Sequence, residues 1–163
     1  MGERVERIIK DYPNMIMERD CLREQIMNFR GITEGEVIDA MNFSSPEGER
    51  VQTSNVSDKT ASIAVDYRER MCRINREWLD NLAGKLLVLE EEIGFFHSAL
   101  RSLPPELAPL MWDLAVERLT WDFAERKYHI SRFTVSKYRK KALRELDRLY
   151  AAHDSDMADY LLS

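Results

Sequence analysis

Apolar residues recur at steps of three and four over three stretches of the chain, and each stretch predicts a helix with one buried face. The first stripe is Val5, Ile8, Tyr12, Met15, Leu22, Ile26 and Phe29, with Arg19 taking one turn, and it predicts a helix over residues 3–30. Pro13 falls inside it. Proline removes a helical hydrogen bond and crowds the carbonyl one turn back. The helix therefore bends at Pro13 or a second helix starts there, and the unbroken stripe favours the bend. Gly31 stands where a left-handed residue closes a helix. The second stripe is Met71, Ile74, Trp78, Leu82, Leu86, Leu89, Ile93, Phe96 and Leu100, on a helix that starts at Ser57-Asp58. From Leu82 onward its steps alternate between four and three, as in a coiled-coil seam, and Gly84 and Gly94 weaken it locally. The third runs from Leu119 to Tyr150 as a short helix, a tight turn and a long helix. Val135, Tyr138, Ala142, Leu146 and Leu149 form its buried side, Trp121, Ala124, Tyr128 and Ile130 supply apolar contacts upstream, and Ser131 is placed to cap the second helix.

The connections complete the organisation. Residues 32–56 are a polar link holding Gly35, Pro46 and Gly48, in which residues 36–41 can form one helical turn and residues 42–55 a plain connecting loop. Leu103-Pro-Pro breaks the second long helix. Helical character resumes over residues 106–118, with Pro109 early enough to be tolerated. Residues 151–163 form an acidic tail, either disordered or docked as a helical turn. The expected fold is all-α. Residues 1–101 form a long antiparallel, coiled-coil-like helical hairpin with its loop at 31–57, serving oligomerisation or partner binding. Residues 102–150 form a helix-turn-helix domain, and 151–163 the tail.

Charge changes the picture most. The chain has 163 residues and a formal net charge of −5, yet Leu119 to Tyr150 holds nine Lys/Arg against four Asp/Glu. That stretch is +5, which leaves −10 on the rest. A solvated helix face does not segregate charge to this degree, and a basic helix following a tight turn matches the way a recognition helix meets DNA. Arg132, Phe133, Ser136 and Lys137 lie early on that helix and are candidate base readers, because Arg pairs with guanine edges and Phe touches thymine methyls. Thr134, Lys140, Lys141 and Arg144 are candidates for phosphate.

Other chemistry is thin. Cys21 and Cys72 have neither metal nor disulfide-framework spacing, and His97, His129 and His153 are isolated. There is no nucleophile elbow or P-loop, and Glu90-Glu-Glu reads as a solvated helix face. No catalytic residue, metal or cofactor is expected, nor is a signal peptide or membrane span. The expected location is the cytoplasm.

With these residues in place, the chain resembles the phage-encoded late-gene transcriptional regulators of the ArpU and RinA kind, whose C-terminus is similar to region 4 of bacterial sigma factors. The likeness rests on Leu119-Thr-Trp, on the run from Ile130 to Ser136, on Lys141-Ala-Leu-Arg-Glu-Leu, and on Val56-Ser-Asp-Lys-Thr-Ala ahead of the second long helix. The chain departs from the pattern at Glu125, where a small buried residue is usual, and at His129 and Arg118, which replace glycines. Leu114-Ala115 also replaces a basic-aromatic pair. The resemblance implies a non-enzymatic, sequence-specific regulator that activates phage late genes in a bacterial host. It adds host RNA polymerase as a partner to the double-stranded DNA expected from the basic helix, and the heptad-like stripes of the two long helices predict a homodimer or higher homo-oligomer. Two other classes fit the layout: a small-terminase-like DNA-recognition subunit, and a coiled-coil adaptor that does not bind DNA.

Overall fold

The computed structural model describes residues 2–33, 35–36 and 58–163, the side chains of 58–64 excepted. These residues form five helices and no strand: α1 (Glu3–Met27), α2 (Asp58–Arg101), α3 (Ala108–Ala115), α4 (Trp121–Tyr128) and α5 (Arg132–Leu162). The all-α expectation holds. The residue 42–55 loop, most of the helical turn at 36–41 and the helix start at Ser57 lie outside the described residues. No helix among those described is long and apolar enough to cross a membrane.

The chain divides into two compact bodies, one of Met1–Asp20 with Val88–Ser163 and one of Cys21–Leu87. The division passes through both long helices.

In the first body, the core collects Val5 and Tyr12 from α1, Ile93, Phe96 and Leu100 from α2, and Leu110 and Met111 from α3. Val135, Ala142 and Leu146 come from α5. Phe96 is fully buried, and burying a side chain of that kind contributes about 1.5–3 kcal/mol. Tyr12 stands against Phe96, and its hydroxyl is linked to His97 Nε2 at 2.7 Å. Tyr150 closes the α5 side edge-on to Phe95, and burial pushes its hydroxyl up to about 12.

α1 runs through Pro13 without a break. A proline there cannot donate to the carbonyl of Ile9, one turn back, so that oxygen lacks its helical partner. Arg118 supplies it: Nη1 donates to the Ile9 carbonyl oxygen at 3.0 Å. Arg118 itself sits in the left-handed region at φ 57. α3 is shorter than the 106–118 expected because the chain turns over here, Val116 and Glu117 N–H both closing onto the Trp112 carbonyl and Leu119 N–H onto that of Asp113. Pro109 occupies its first turn, as expected.

α5 is one helix of 31 residues. It takes in the 151–163 tail except Ser163, and its last turns leave Tyr160, Leu161 and Leu162 exposed.

In the second body, Leu22 and Leu82 are the buried apolar residues among those described, while Ile74, Trp78 and Leu87 remain exposed. Ile74 and Trp78 belong to the predicted stripe of α2, of which Leu82 is buried in this body. Phe29 meets Trp78 edge-on at 6.0 Å. Gly31 has φ +69 after α1, as expected of a closing glycine. Asn75 then acts as a backbone mimic: its Oδ1 accepts from Ile32 N–H at 2.9 Å and its Nδ2 donates to the Ile32 carbonyl at 3.2 Å. A Cβ at Gly31 would come within 2.6 Å of the Asn75 side chain, so both φ and space demand glycine.

Candidate nucleic-acid interface

Two hydroxyl caps build the surface around α5. Thr120 Oγ1 accepts from Phe123 N–H at 3.3 Å and starts α4, and Ser131 Oγ accepts from Thr134 N–H at 3.2 Å and starts α5. Between them, His129 adopts φ 54, and both its N–H and that of Ile130 fold back on the Glu125 carbonyl. This is a left-handed helix closure built with histidine in place of glycine. Leu110, Ala124 and Val135 meet beneath the turn, with Trp121, Tyr128, Ile130 and Tyr138 packed around them. The small buried residue is Ala124, 1% exposed, and not position 125. Glu125 is half-buried rather than enclosed.

α3 is tied to α4 through Asp113. Its buried carboxylate accepts from Lys127 Nζ at 2.6 Å and from the Tyr128 hydroxyl. The bond to Asp113 raises the Lys127 ammonium, and burial with Asp113 raises the Tyr128 phenol. A buried acid with two donors holds its element in place, since losing Lys127 would leave its charge unpaired and losing Tyr128 would leave it one hydrogen bond short.

The candidate base readers separate. Phe133 is 79% exposed in the first turn of α5, and Lys137 is exposed one turn on, on the same side. Ser136, three residues after Phe133, is half-buried. Arg132 donates from Nη1 to Asp122 Oδ1 at 3.1 Å, and its guanidinium lies 5.6 Å from the Trp121 ring centre.

Among the phosphate candidates, Thr134 is half-buried, its hydroxyl shared with that of Ser131 at 3.0 Å. Lys141 is bound to Glu106 at 3.2 Å. Glu106 is held below the usual carboxylate range by a backbone hydrogen bond and then by Lys141. Lys140 and Arg144 are exposed, and together with Lys137, Tyr138, Lys141 and Glu106 they line a shallow groove of about 430 Å³.

Ion pairs sort the nine cations of this stretch. Lys127, Arg132, Arg139, Lys141 and Arg148 have carboxylate partners in Asp113, Asp122, Glu6, Glu106 and Glu145. Among the described residues, Arg126, Lys137, Lys140 and Arg144 have none, and Arg126 Nε donates instead to the Asp122 carbonyl. Three unpaired cations therefore stand within two turns of one helix, on the side away from its core face. That side attracts anions.

The Asp113 network, the Tyr12–His97 pair and the Arg118–Ile9 bond went unread in the sequence. Only the last left a signal there: the proline at 13 orphans the carbonyl at 9. Among the described residues no group of three or more His, Cys, Asp or Glu is assembled to hold a metal. Cys21 and Cys72 are both free and exposed. No protein family, no curated protein and no solved structure matches this chain.

Proposed function

We propose that the chain is a sequence-specific DNA-binding regulator in which α4, the turn at His129 and α5 act as a helix-turn-helix, with α5 as the recognition helix. One observation carries the reading. The outward side of α5 presents an uncovered aromatic, Phe133, followed by unpaired Lys137, Lys140 and Arg144, on a chain that is acidic elsewhere. A bare phenyl ring at a helix start gains from contact with thymine methyls, and the cations behind it are spaced for phosphates. Arg132 remains a base reader in this reading. An exposed ion pair such as Arg132–Asp122 holds by at most about 1 kcal/mol, so Asp122 can release it to a guanine edge. With the resemblance noted above, the reading extends to activation of phage late genes beside host RNA polymerase.

Selection of bound duplexes from a random library, followed by competition binding at fixed salt, tests this. Phe133→Ala and Lys137→Ala are expected to lower the preference for the selected duplex, whereas Lys140→Ala weakens selected and random DNA alike. If all three reduce both in the same ratio, the recognition-helix assignment is wrong. Full-length protein that binds no duplex at low salt removes the DNA reading and leaves the adaptor.

The α1–α2 hairpin is proposed as the self-association element. Support comes from Ile74 and Trp78, members of the α2 stripe that stay half exposed in the Cys21–Leu87 body. Trp78→Asp is the suitable disruptor, since Leu89 is buried in the other body and its loss unfolds rather than dissociates. Sedimentation at micromolar concentration should show an oligomer for the parent chain and a shift toward monomer for Trp78→Asp.

A further inference from the structure

Beside the outward side of α5 runs a second groove, open and about 990 Å³, whose lining comes from α1 as well as α5. Leu143 and Ala151 contribute its apolar part, Lys140 and Arg144 its cations from α5, and Arg7 a guanidinium from α1. Three carboxylates, Glu3, Glu6 and Asp147, share the groove. Their effect is reduced because Glu6 is bound by Arg139 at 3.3 Å. Arg4 and Arg148 line the groove as well but are matched, by Asp154 and by Glu145. Arg7 is exposed and, among the described residues, has no carboxylate partner.

Arg7 is also held in register with α5. Val5, two residues before it, is fully buried, Glu6 beside it bonds to Arg139 on α5, and Arg4 pairs with Asp154 on the same helix. The first turns of α1 therefore share a surface with α5. Lys140 and Arg144 line both this groove and the smaller one that holds Lys137, so the cations without a carboxylate partner run from Arg7 across α5 to Lys137, with Glu3 and Asp147 set among them. Like charges placed along a band repel one another unless an anion lies over them. A compact anion would need converging donors. A band along two open grooves suits an extended polyanion instead, one whose charges repeat along its length.

We infer that Arg7 is a backbone-phosphate contact for the same duplex that α5 meets, so that the N-terminal turns of α1 form a second wall of the DNA-binding surface. This rests on the DNA reading above. It assigns α1 a binding role beyond that of the hairpin. The contact is sequence-independent, because a phosphate carries no base identity.

The test uses the full chain and a random-sequence duplex, with affinity measured against salt. Each phosphate contact contributes about 0.9 to the slope of log affinity on log salt, equal to an about 3.5-fold change between about 50 and 200 mM. Arg7→Gln is expected to lower the slope by about 0.9, as Lys140→Gln does, while Arg7→Lys keeps the parent slope. Lys85→Gln, an exposed cation in the Cys21–Leu87 body, removes the same charge and should leave the slope unchanged. Parent-like slopes for Arg7→Gln, or equal losses for Arg7→Gln and Lys85→Gln, overturn the α1 contact and leave the α5 reading standing. A parent chain that binds no duplex overturns both.

Discussion

Both compact bodies are built on the same two long helices, yet they bury apolar side chains to different depths. In the body of Met1–Asp20 and Val88–Ser163, short helices and α5 pack around the ends of α1 and α2. Phe96, Leu100, Leu110, Val135 and Leu146 there lose essentially all contact with water. In Cys21–Leu87, parts of two helices meet, Leu22 and Leu82 are buried, and Trp78 stays 50% exposed while touching Phe29. Two helices can cover one stripe of each other and no more. A site that must hold cations at fixed separations needs neighbours on several sides, and among the described residues the first body supplies them. The second keeps apolar surface available.

The sharpest way to break this comparison is to truncate one aromatic in each body. Phe96→Ala is expected to cost about 3–5 kcal/mol, the range for deleting a buried phenyl ring, as read by urea unfolding. Trp78→Ala should cost roughly 1 kcal/mol, mainly its edge-to-face pair with Phe29. Equal costs would mean that the depth of burial does not separate the bodies.

Next in size is the repair at Pro13. Pro13→Ala restores a donor to the Ile9 carbonyl and is expected to stabilise by up to about 3 kcal/mol. Arg118→Ala should destabilise the parent by about 1 kcal/mol through the lost hydrogen bond and have no effect in the Pro13→Ala background. Additive effects in that double-mutant cycle would show that Arg118 does not serve the orphaned carbonyl.

A smaller gain is expected at the turn. His129→Gly removes a side chain from a left-handed residue and should raise the melting temperature, by about 1 kcal/mol in stability. Arg118→Gly relieves the same conformation but loses the bond to Ile9, so it should come out near neutral. If the two glycine variants behave alike, the side chain of Arg118 contributes nothing.

The smallest effect is a pH dependence confined to the first body. Burial, then the charges of Arg101 and Arg19, hold the His97 imidazolium below its ordinary value of 6.5. The folded chain therefore binds this proton less readily than the unfolded chain. The associated stability is fully present above pH 6.5 and declines as pH falls below it toward the folded value. Unfolding at pH 7.5 and pH 5.5 should show the loss in the parent and a smaller loss in His97→Gln. An unchanged pH slope in that variant would falsify the assignment.

Much of this was legible in the residues alone, because helices announce themselves locally. The periodic stripes marked the two long helices and the helical pair at 119–150, Ser131 marked the start of α5, Gly31 the close of α1, and the charge count singled out residues 119–150. Each of these is a property of neighbours within a few positions, where backbone geometry and side-chain spacing are one problem. What the pattern could not decide was partnership across the chain. Arg118 and Ile9 lie 109 positions apart, and Tyr12 and His97 lie 85 apart. Arg132, Lys137, Lys141 and Arg144 look alike in sequence, but folding sets carboxylates beside Arg132 and Lys141 and, among the described residues, leaves Lys137 and Arg144 without one. The division of the chain through the middle of α1 and α2 was equally invisible, since a continuous stripe says that a face is buried but not how many neighbours bury it. The sequence by itself determined where helices form and where positive charge gathers. Tertiary structure decided which of those charges remain unpaired, because pairing depends on distances that only folding sets.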